Sequence, residues 1–185
     1  METNVSLSKS FLFKFLKDPK KIGSVIPSTS YLAKSMTKNI NWQSANVIIE
    51  LGAGTGIMTE TIFQEAKQDA KVIVAEQDPE LYSMLQIKYP NFIHIKNAED
   101  INYILQEKNI KSDYIICSLP FSAWPKSVIK EYLAKIADCL TESGELIMFQ
   151  YSPYIYSYLL KHFSKIRVSY TLMNIPPAII YRCSK

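Results

Sequence analysis

From Asn46 onward the chain alternates between short runs of β-branched and aliphatic residues and stretches of helical periodicity. This alternation constrains the fold more than any other feature. The runs are NVIIEL (46–51), KVIVAE (71–76), NFIHIK (91–96), DYIICS (113–118) and ELIMFQY (145–151). Each is short and mostly apolar, the pattern of a strand covered on both faces. Helical stretches lie between them over Ile57–Lys67, Pro79–Tyr89, Glu99–Asn109 and Ser127–Leu140. Asp78 ahead of Pro79 is a good helix start, with a carboxylate as N-cap and proline in the first turn. Glu142-Ser143-Gly144 reads as the turn that feeds the fifth strand. Such βαβα order predicts an α/β fold, a mostly parallel sheet with helices on both faces. The tail differs. Lys165–Met173 and Pro177–Cys183 predict a closing antiparallel pair, joined through Asn174-Ile175-Pro176. Ahead of the core, Leu7–Lys17 and Ser28–Lys38 predict two further helices. The expected organisation is a helical extension over 1–45 and one globular unit over 46–185.

Composition narrows the class. With 185 residues, 48% of them hydrophobic and 12% aromatic, the chain can bury a single core and is not a disordered one. No apolar run approaches the roughly 20 residues that span a bilayer. Lys14 and Lys17 interrupt the apolar stretch near the start, so no signal-peptide layout is present there. Cys117, Cys139 and Cys183 form no C-x-x-C pair, and Cys117 reads as a buried neutral thiol. Two histidines make a zinc site improbable, so no metal is expected. His94 reads as a sheet residue, and Lys161-His162 as cations closing a helix. These features together predict a cytoplasmic protein with reduced thiols. Net charge is +4, but unevenly spread. Residues 1–40 carry seven lysines against Glu2 and Asp18, and residues 151–185 carry five cations and no acid. Basic, aromatic-rich ends around an acidic middle suggest an anionic partner; a solvated surface with chance clustering is the alternative.

The sharpest motif is Val47-Ile48-Ile49-Glu50-Leu51-Gly52-Ala53-Gly54-Thr55-Gly56, a strand running into a glycine-rich turn that opens a helix. Glycines let a ligand approach bare backbone, and a helix N-terminus offers free N–H donors. The spacing is G-x-G-x-G, not the G-x-G-x-x-G of dinucleotide sites, and Glu50 precedes it. Glu76 closes the next strand 20 positions after Gly56, where a carboxylate can accept both ribose hydroxyls. No Walker lysine follows, which counts against ATP and GTP.

Together these residues resemble the class I S-adenosylmethionine (SAM) dependent methyltransferases, and the resemblance covers Asn46 to the C-terminus. It implies their Rossmann-like fold with seven strands, mostly parallel, ending in the antiparallel hairpin. It also implies SAM as cofactor, with S-adenosylhomocysteine as product. Gly52, Ala53, Gly54 and Gly56 would line the methionine and ribose. Glu50 would support the loop or the SAM amino group through water, and Glu76, with Gln77 beside it, would hold the ribose. Lys96-Asn97-Ala98-Glu99 stands where the family reads adenine. Asn97 replaces its aspartate, leaving Asn97 and Glu99 both open as partners of the adenine amino group. Ser118-Leu119-Pro120-Phe121 resembles the Asn-Pro-Pro-Tyr segment of amino-group methylases, with Ser for Asn and Phe for Tyr. Ser118 offers a hydroxyl and a backbone carbonyl, but not the paired amide contacts that hold a planar base amine.

With the ends included, the resemblance sharpens. Phe11-Leu12-x-x-Phe15-Leu16-Lys17-Asp18-Pro19, Ile22-Gly23-Ser24-Val25-Ile26-Pro27-Ser28 and Asn174-Ile175-Pro176-Pro177-Ala178 resemble segments of bacterial phospholipid N-methyltransferases, which are similar to ribosomal RNA adenine dimethylases. This implies methylation of a lipid amine such as phosphatidylethanolamine by a monomer. Ser118, Phe121 and Tyr151 are the candidate catalytic residues: Ser118 and a tyrosine hydroxyl accept the amine proton, and Phe121, Trp124, Tyr151 and Tyr154 could cage a methylated ammonium. Each of these rings could equally fill the core. Leu7–Asp18 places Leu7, Leu12, Phe11, Phe15 and Leu16 on one arc, with Lys14 and Lys17 opposite. Residues 7–21 are therefore expected either to lie on an anionic membrane at its inner face or to cap the domain. An RNA adenine methyltransferase, disfavoured by Ser118 and by the want of a separate RNA-binding domain, is the nearest alternative. A silent SAM-binding module follows, and a nicotinamide oxidoreductase comes last.

Overall fold

A computed structural model describes residues 25–172 and 177–185. The elements, in chain order, are α1 (Val25–Thr37), β1 (Val47–Leu51), α2 (Ile57–Glu65), β2 (Lys71–Ala75), α3 (Pro79–Lys88) and β3 (Ile93–Ile95). They continue with α4 (Ile101–Glu107), β4 (Ser112–Cys117), α5 (Lys126–Cys139), β5 (Leu140–Gln150), α6 (Tyr156–Leu159), β6 (Lys165–Thr171) and β7 (Ala178–Ser184). One seven-stranded sheet has the order β3-β2-β1-β4-β5-β7-β6. The first five strands are parallel, and β7 runs antiparallel to both β5 and β6. Strand order reverses between β1 and β4, and the carboxyl ends of those strands open the crevice in which this topology binds ligands.

Alternate residues of the buried strands face two apolar layers. Ile49, Leu51, Ile115 and Met148 pack with Ile129, Leu133 and Ile136 of α5. On the opposite face Ile48, Ile116 and Ile147 pack with Met58 and Ile62 of α2 and with Leu32, Ala33 and Met36 of α1. Helix α1 is thus part of the core layer on one side of the sheet. Arg182 on β7 pins it, donating to the Met36 and Asn39 carbonyls while pairing with Glu145 at 2.6 Å.

Local chemistry accounts for most element ends. The Asp78 carboxylate accepts from the backbone N–H groups of Glu80 and Leu81 at 3.0 and 3.1 Å, as its N-cap position predicts. The stretch expected to be helical from Glu99 instead begins as a 3-10 turn over Ala98–Asp100 and becomes α-helical at Ile101. The expected turn at Glu142-Ser143-Gly144 lies inside β5, where the pairing with β4 slips between Ser112 and Tyr114. A Cβ at Gly144 would sit 2.8 Å from the Ser112 carbonyl oxygen, so glycine there serves strand contact at the irregularity. Helix Leu7–Lys17, the basic segment 7–21 and the Asn174-Ile175-Pro176 link lie outside the described residues. Among the described residues no helix is long and apolar enough to cross a membrane.

Candidate active site

The glycine-rich turn is built by its neighbours. Gly52 and Ala53 donate their N–H groups to the Ala75 carbonyl at the end of β2. The Glu76 carboxylate then accepts from Gly54 N at 2.6 Å and from Asp78 N at 2.9 Å, tying the turn to the start of α3. Gly52, Gly54 and Gly56 all have positive φ, but two of them serve different ends. A Cβ on Gly54 would meet nothing within 4 Å, because this residue faces open space. A Cβ on Gly56 would lie 2.8 Å from Leu85 Cδ2, so Gly56 lets α3 pack on the head of α2. Gly56 thus has a packing role, and it is not among the residues that line the cavity described below.

Glu50 is the unusual group. It is fully buried on β1, and one carboxyl oxygen accepts from the Thr59 hydroxyl at 2.7 Å. Its other oxygen, Oε1, is buried with no partner. Burial, aided by the nearby Glu76 charge, pushes the Glu50 carboxyl up to about 8. A buried oxygen without a donor beside an open glycine turn is a place for a cationic ligand group.

A cavity of about 210 Å³ opens here, at the carboxyl ends of β1, β4 and β5. Glu50, Gly52, Ala53, Gly54, Ser118 and Tyr151 all line it, so six of the expected site residues come together. Leu32, Ala33 and Met36 of α1 form a further wall, with Leu119, Phe149 and Gln150 across from them. Leu119 belongs to the expected Ser118–Phe121 segment; the other five were not anticipated. The repeat of apolar residues at Leu32, Ala33 and Met36 marked a buried helix face but not what it faced. Gln150, a polar residue closing an apolar strand, was the available signal for the far wall.

Other expected residues lie elsewhere. Glu76 is buried beneath the turn, and Gln77 is exposed beyond it. Asn97 and Glu99 are exposed and Ala98 is half-buried; none lines the cavity. The Asn97 amide donates to Asp100, and the Ala98 carbonyl accepts from Tyr132 of α5. Phe121 is a clear correction. It is fully buried, packed on Trp124 and Tyr132 with ring centroids 5.0 and 6.1 Å away, and is core and not cavity wall. Trp124 is held in the same cluster, and Tyr154 packs on Tyr158, so the four rings expected as a cage are not assembled. The cause is the 3-10 turn over Phe121–Ala123, which rolls Phe121 under α5. His94 Nε2 donates to the Tyr89 carbonyl, 2.8 Å away, as a sheet residue would. The Cys117 thiol, fully buried, is pushed up to about 12 and is inert.

The sequence profile of the ribosomal RNA adenine dimethylase family matches residues 4–158. The chain belongs to that family. It is therefore a SAM-dependent methyltransferase. Among curated relatives, an ornithine lipid N-methyltransferase from Singulisphaera acidiphila is 31% identical over 179 residues, covering 94% of this chain and 93% of the relative. A ribosomal RNA small subunit methyltransferase A from Thermotoga petrophila is 30% identical over 161 residues, covering 82% of this chain but 59% of the relative. The chain spans about half the length of such ribosomal RNA relatives, from 43% to 59%. Of solved structures, the N-methyltransferase NodS from Bradyrhizobium japonicum, in complex with S-adenosylhomocysteine, superposes with a TM-score of 0.69 at 13% identity, covering 97% of each chain. The magnesium protoporphyrin IX methyltransferase of Synechocystis, with bound SAM, gives 0.63 at 15% identity, covering 92% of this chain and 84% of that one. Both confirm the class I methyltransferase fold.

The cavity fits the cofactor. The open face at Gly54 would admit its ribose and methionine backbone, and Glu50 Oε1 would meet its amino group. What SAM supplies when bound is an electrophilic methyl on sulfonium. What this chain supplies is orientation.

Proposed function

We propose that the protein methylates the aliphatic amine of a membrane lipid, an ornithine lipid or phosphatidylethanolamine. The observation that carries this reading is the placement of Phe121. A methylase acting on a nucleobase must hold the extruded base between aromatic or apolar faces and hydrogen-bond its edge. Here the ring in the Asn-Pro-Pro-Tyr-like segment is sealed in the core, and Ser118 stands where the paired amide contacts would be. The remaining acceptor wall is apolar, from Leu32, Met36, Leu119 and Phe149, with Ser118 and Gln150 as its polar points. That suits a compact amine on an aliphatic stem. The kinship with an ornithine lipid N-methyltransferase over nearly its whole length supports the same reading.

The site residues take these roles. Glu50, Gly52, Ala53 and Gly54 bind the cofactor, and Glu76 fixes the turn through the Gly54 and Asp78 amides. The ammonium loses its proton to solvent before its lone pair can attack, and the Ser118 hydroxyl, which has no partner among the described residues, accepts a hydrogen bond from the resulting amine and orients it. Tyr151 flanks the acceptor. The basic segment 7–21 brings the enzyme to an anionic bilayer.

Purified protein incubated with methyl-labelled SAM and separate pools of ornithine lipid, phosphatidylethanolamine and adenine-containing RNA tests the reading. Label is expected in lipid. Robust RNA methylation with no lipid product would overturn it in favour of the base-methylating activity that the family description names.

A further inference from the structure

The loop after β4 leaves an unanswered question about the acceptor. Its most exposed hydrogen-bond acceptor ought to be the Leu119 carbonyl, at the bend of Ser118-Leu119-Pro120-Phe121. That oxygen is already taken. It accepts from Phe121 N at 3.0 Å and from Gln150 Nε2 at 2.9 Å, which uses both lone pairs. An incoming amine therefore finds no acceptor there.

The same contact orients Gln150. Its amide nitrogen is committed to Leu119, which fixes which end of the amide is oxygen. Gln150 is buried and lines the cavity, and its Oε1 accepts from no described residue. Its backbone is held in the β5–β7 ladder, opposite Ile179. An oriented amide oxygen on a strand is a more rigid acceptor than one on a loop. Leu119, clasped by Gln150 on one side, lies 3.2 Å from where a Cβ on Gly52 would be, so this oxygen is one residue away from the cofactor turn.

We propose that Gln150 is the residue that positions the substrate amine, its Oε1 accepting an N–H once the ammonium has lost its proton to solvent. The amide that base methylases place in the β4 segment is supplied here from β5, one strand over. A single acceptor on one side leaves the amine free to rotate about that hydrogen bond, which suits an sp3 nitrogen and not a planar base amine. This assignment rests on the lipid-amine reading above.

The test compares wild type, Gln150→Leu and Gln150→Glu with methyl-labelled SAM. Acceptors are mixed micelles of ornithine lipid, of phosphatidylethanolamine, and a single-stranded adenine-containing RNA. SAM affinity is measured by calorimetry and folding by thermal melts. Gln150→Leu should lower kcat/KM for the lipid by ten- to a hundredfold, with SAM affinity within twofold of wild type. Gln150→Glu keeps an acceptor oxygen but loses the donor to Leu119. It should hold lipid KM near the wild-type value while kcat falls, and it remains informative if the leucine variant fails to fold. Equal loss of SAM and lipid affinity in the variants, or wild-type lipid kinetics in both, would overturn the role of Gln150 alone. Methylation of RNA and of neither lipid by wild type would overturn the lipid-amine reading and this assignment with it.

Discussion

Burial pushes the Glu50 carboxyl up to about 8, with Thr59 as its one side-chain hydrogen-bond donor among the described residues and Glu76 close by. Replacing it with glutamine keeps the shape and removes the titration. In the unfolded chain the group ionises near 4.5, in the fold near 8. Between those values the folded state holds one more proton than the unfolded state, so stability falls as pH rises, by about 1.4 kcal/mol per pH unit at most. The contribution is fully present below pH 4.5 and gone above 8. From pH 5 to 7, wild type should therefore lose about 3 kcal/mol relative to Glu50→Gln, an upper figure because solvent reaching the cavity weakens the shift. Urea melts of cofactor-free protein at pH 5, 6, 7 and 8 give this difference directly. A second consequence has the opposite sign. If the SAM amino group meets Glu50, binding at pH 7 should expel nearly one proton, read as a dependence of the calorimetric heat on buffer ionisation enthalpy, and Glu50→Gln should abolish it. A stability difference that stays flat across pH, together with equal proton release in both proteins, would refute the reasoning.

Two contrasts follow from the turn. Gly56→Ala forces a Cβ at positive φ against Leu85 and should cost about 1–3 kcal/mol, seen as a fall of several degrees in melting temperature; Gly54→Ala shares the positive-φ strain but meets no neighbour, so it should lower the melting temperature less and weaken SAM binding by calorimetry. Glu76→Ala removes the acceptor of two backbone amides, at Gly54 and Asp78, and should weaken SAM affinity by about 1–3 kcal/mol; unchanged affinity in calorimetry would show that Glu76 does not shape the site.

What could be read from the chain was set by short-range chemistry. Periodicity located all seven strands, and Asp78 marked a helix start to the residue, because capping and apolar alternation are local properties. The Glu50 and glycine-turn positions were legible because a backbone turn at a strand end needs those residue types in sequence. Phe121 was not decided, since a phenylalanine after a strand fits wall and core equally until α5 lies over it. Gln150 escaped for the same reason: its partner, the Leu119 carbonyl, is 31 positions away in the chain. Gly144 looked like a turn because glycine is permissive, whereas the opposing Ser112 carbonyl is what demands it.

The antiparallel insertion of β7 between β5 and β6 sets an order of assembly. When a ribosome has released β6, that strand has no ladder to join, because its one neighbour in the finished sheet has not yet been synthesised. Its exposed Val168 and Tyr170 stand beside an unpaired backbone edge until residues 178–184 arrive and zip into both flanks at once. The nascent chain thus carries a sticky, half-made border until that strand is made. A stop codon placed just before Ala178 would strand that border permanently, turning a single lost strand into the loss of two and a product prone to aggregation.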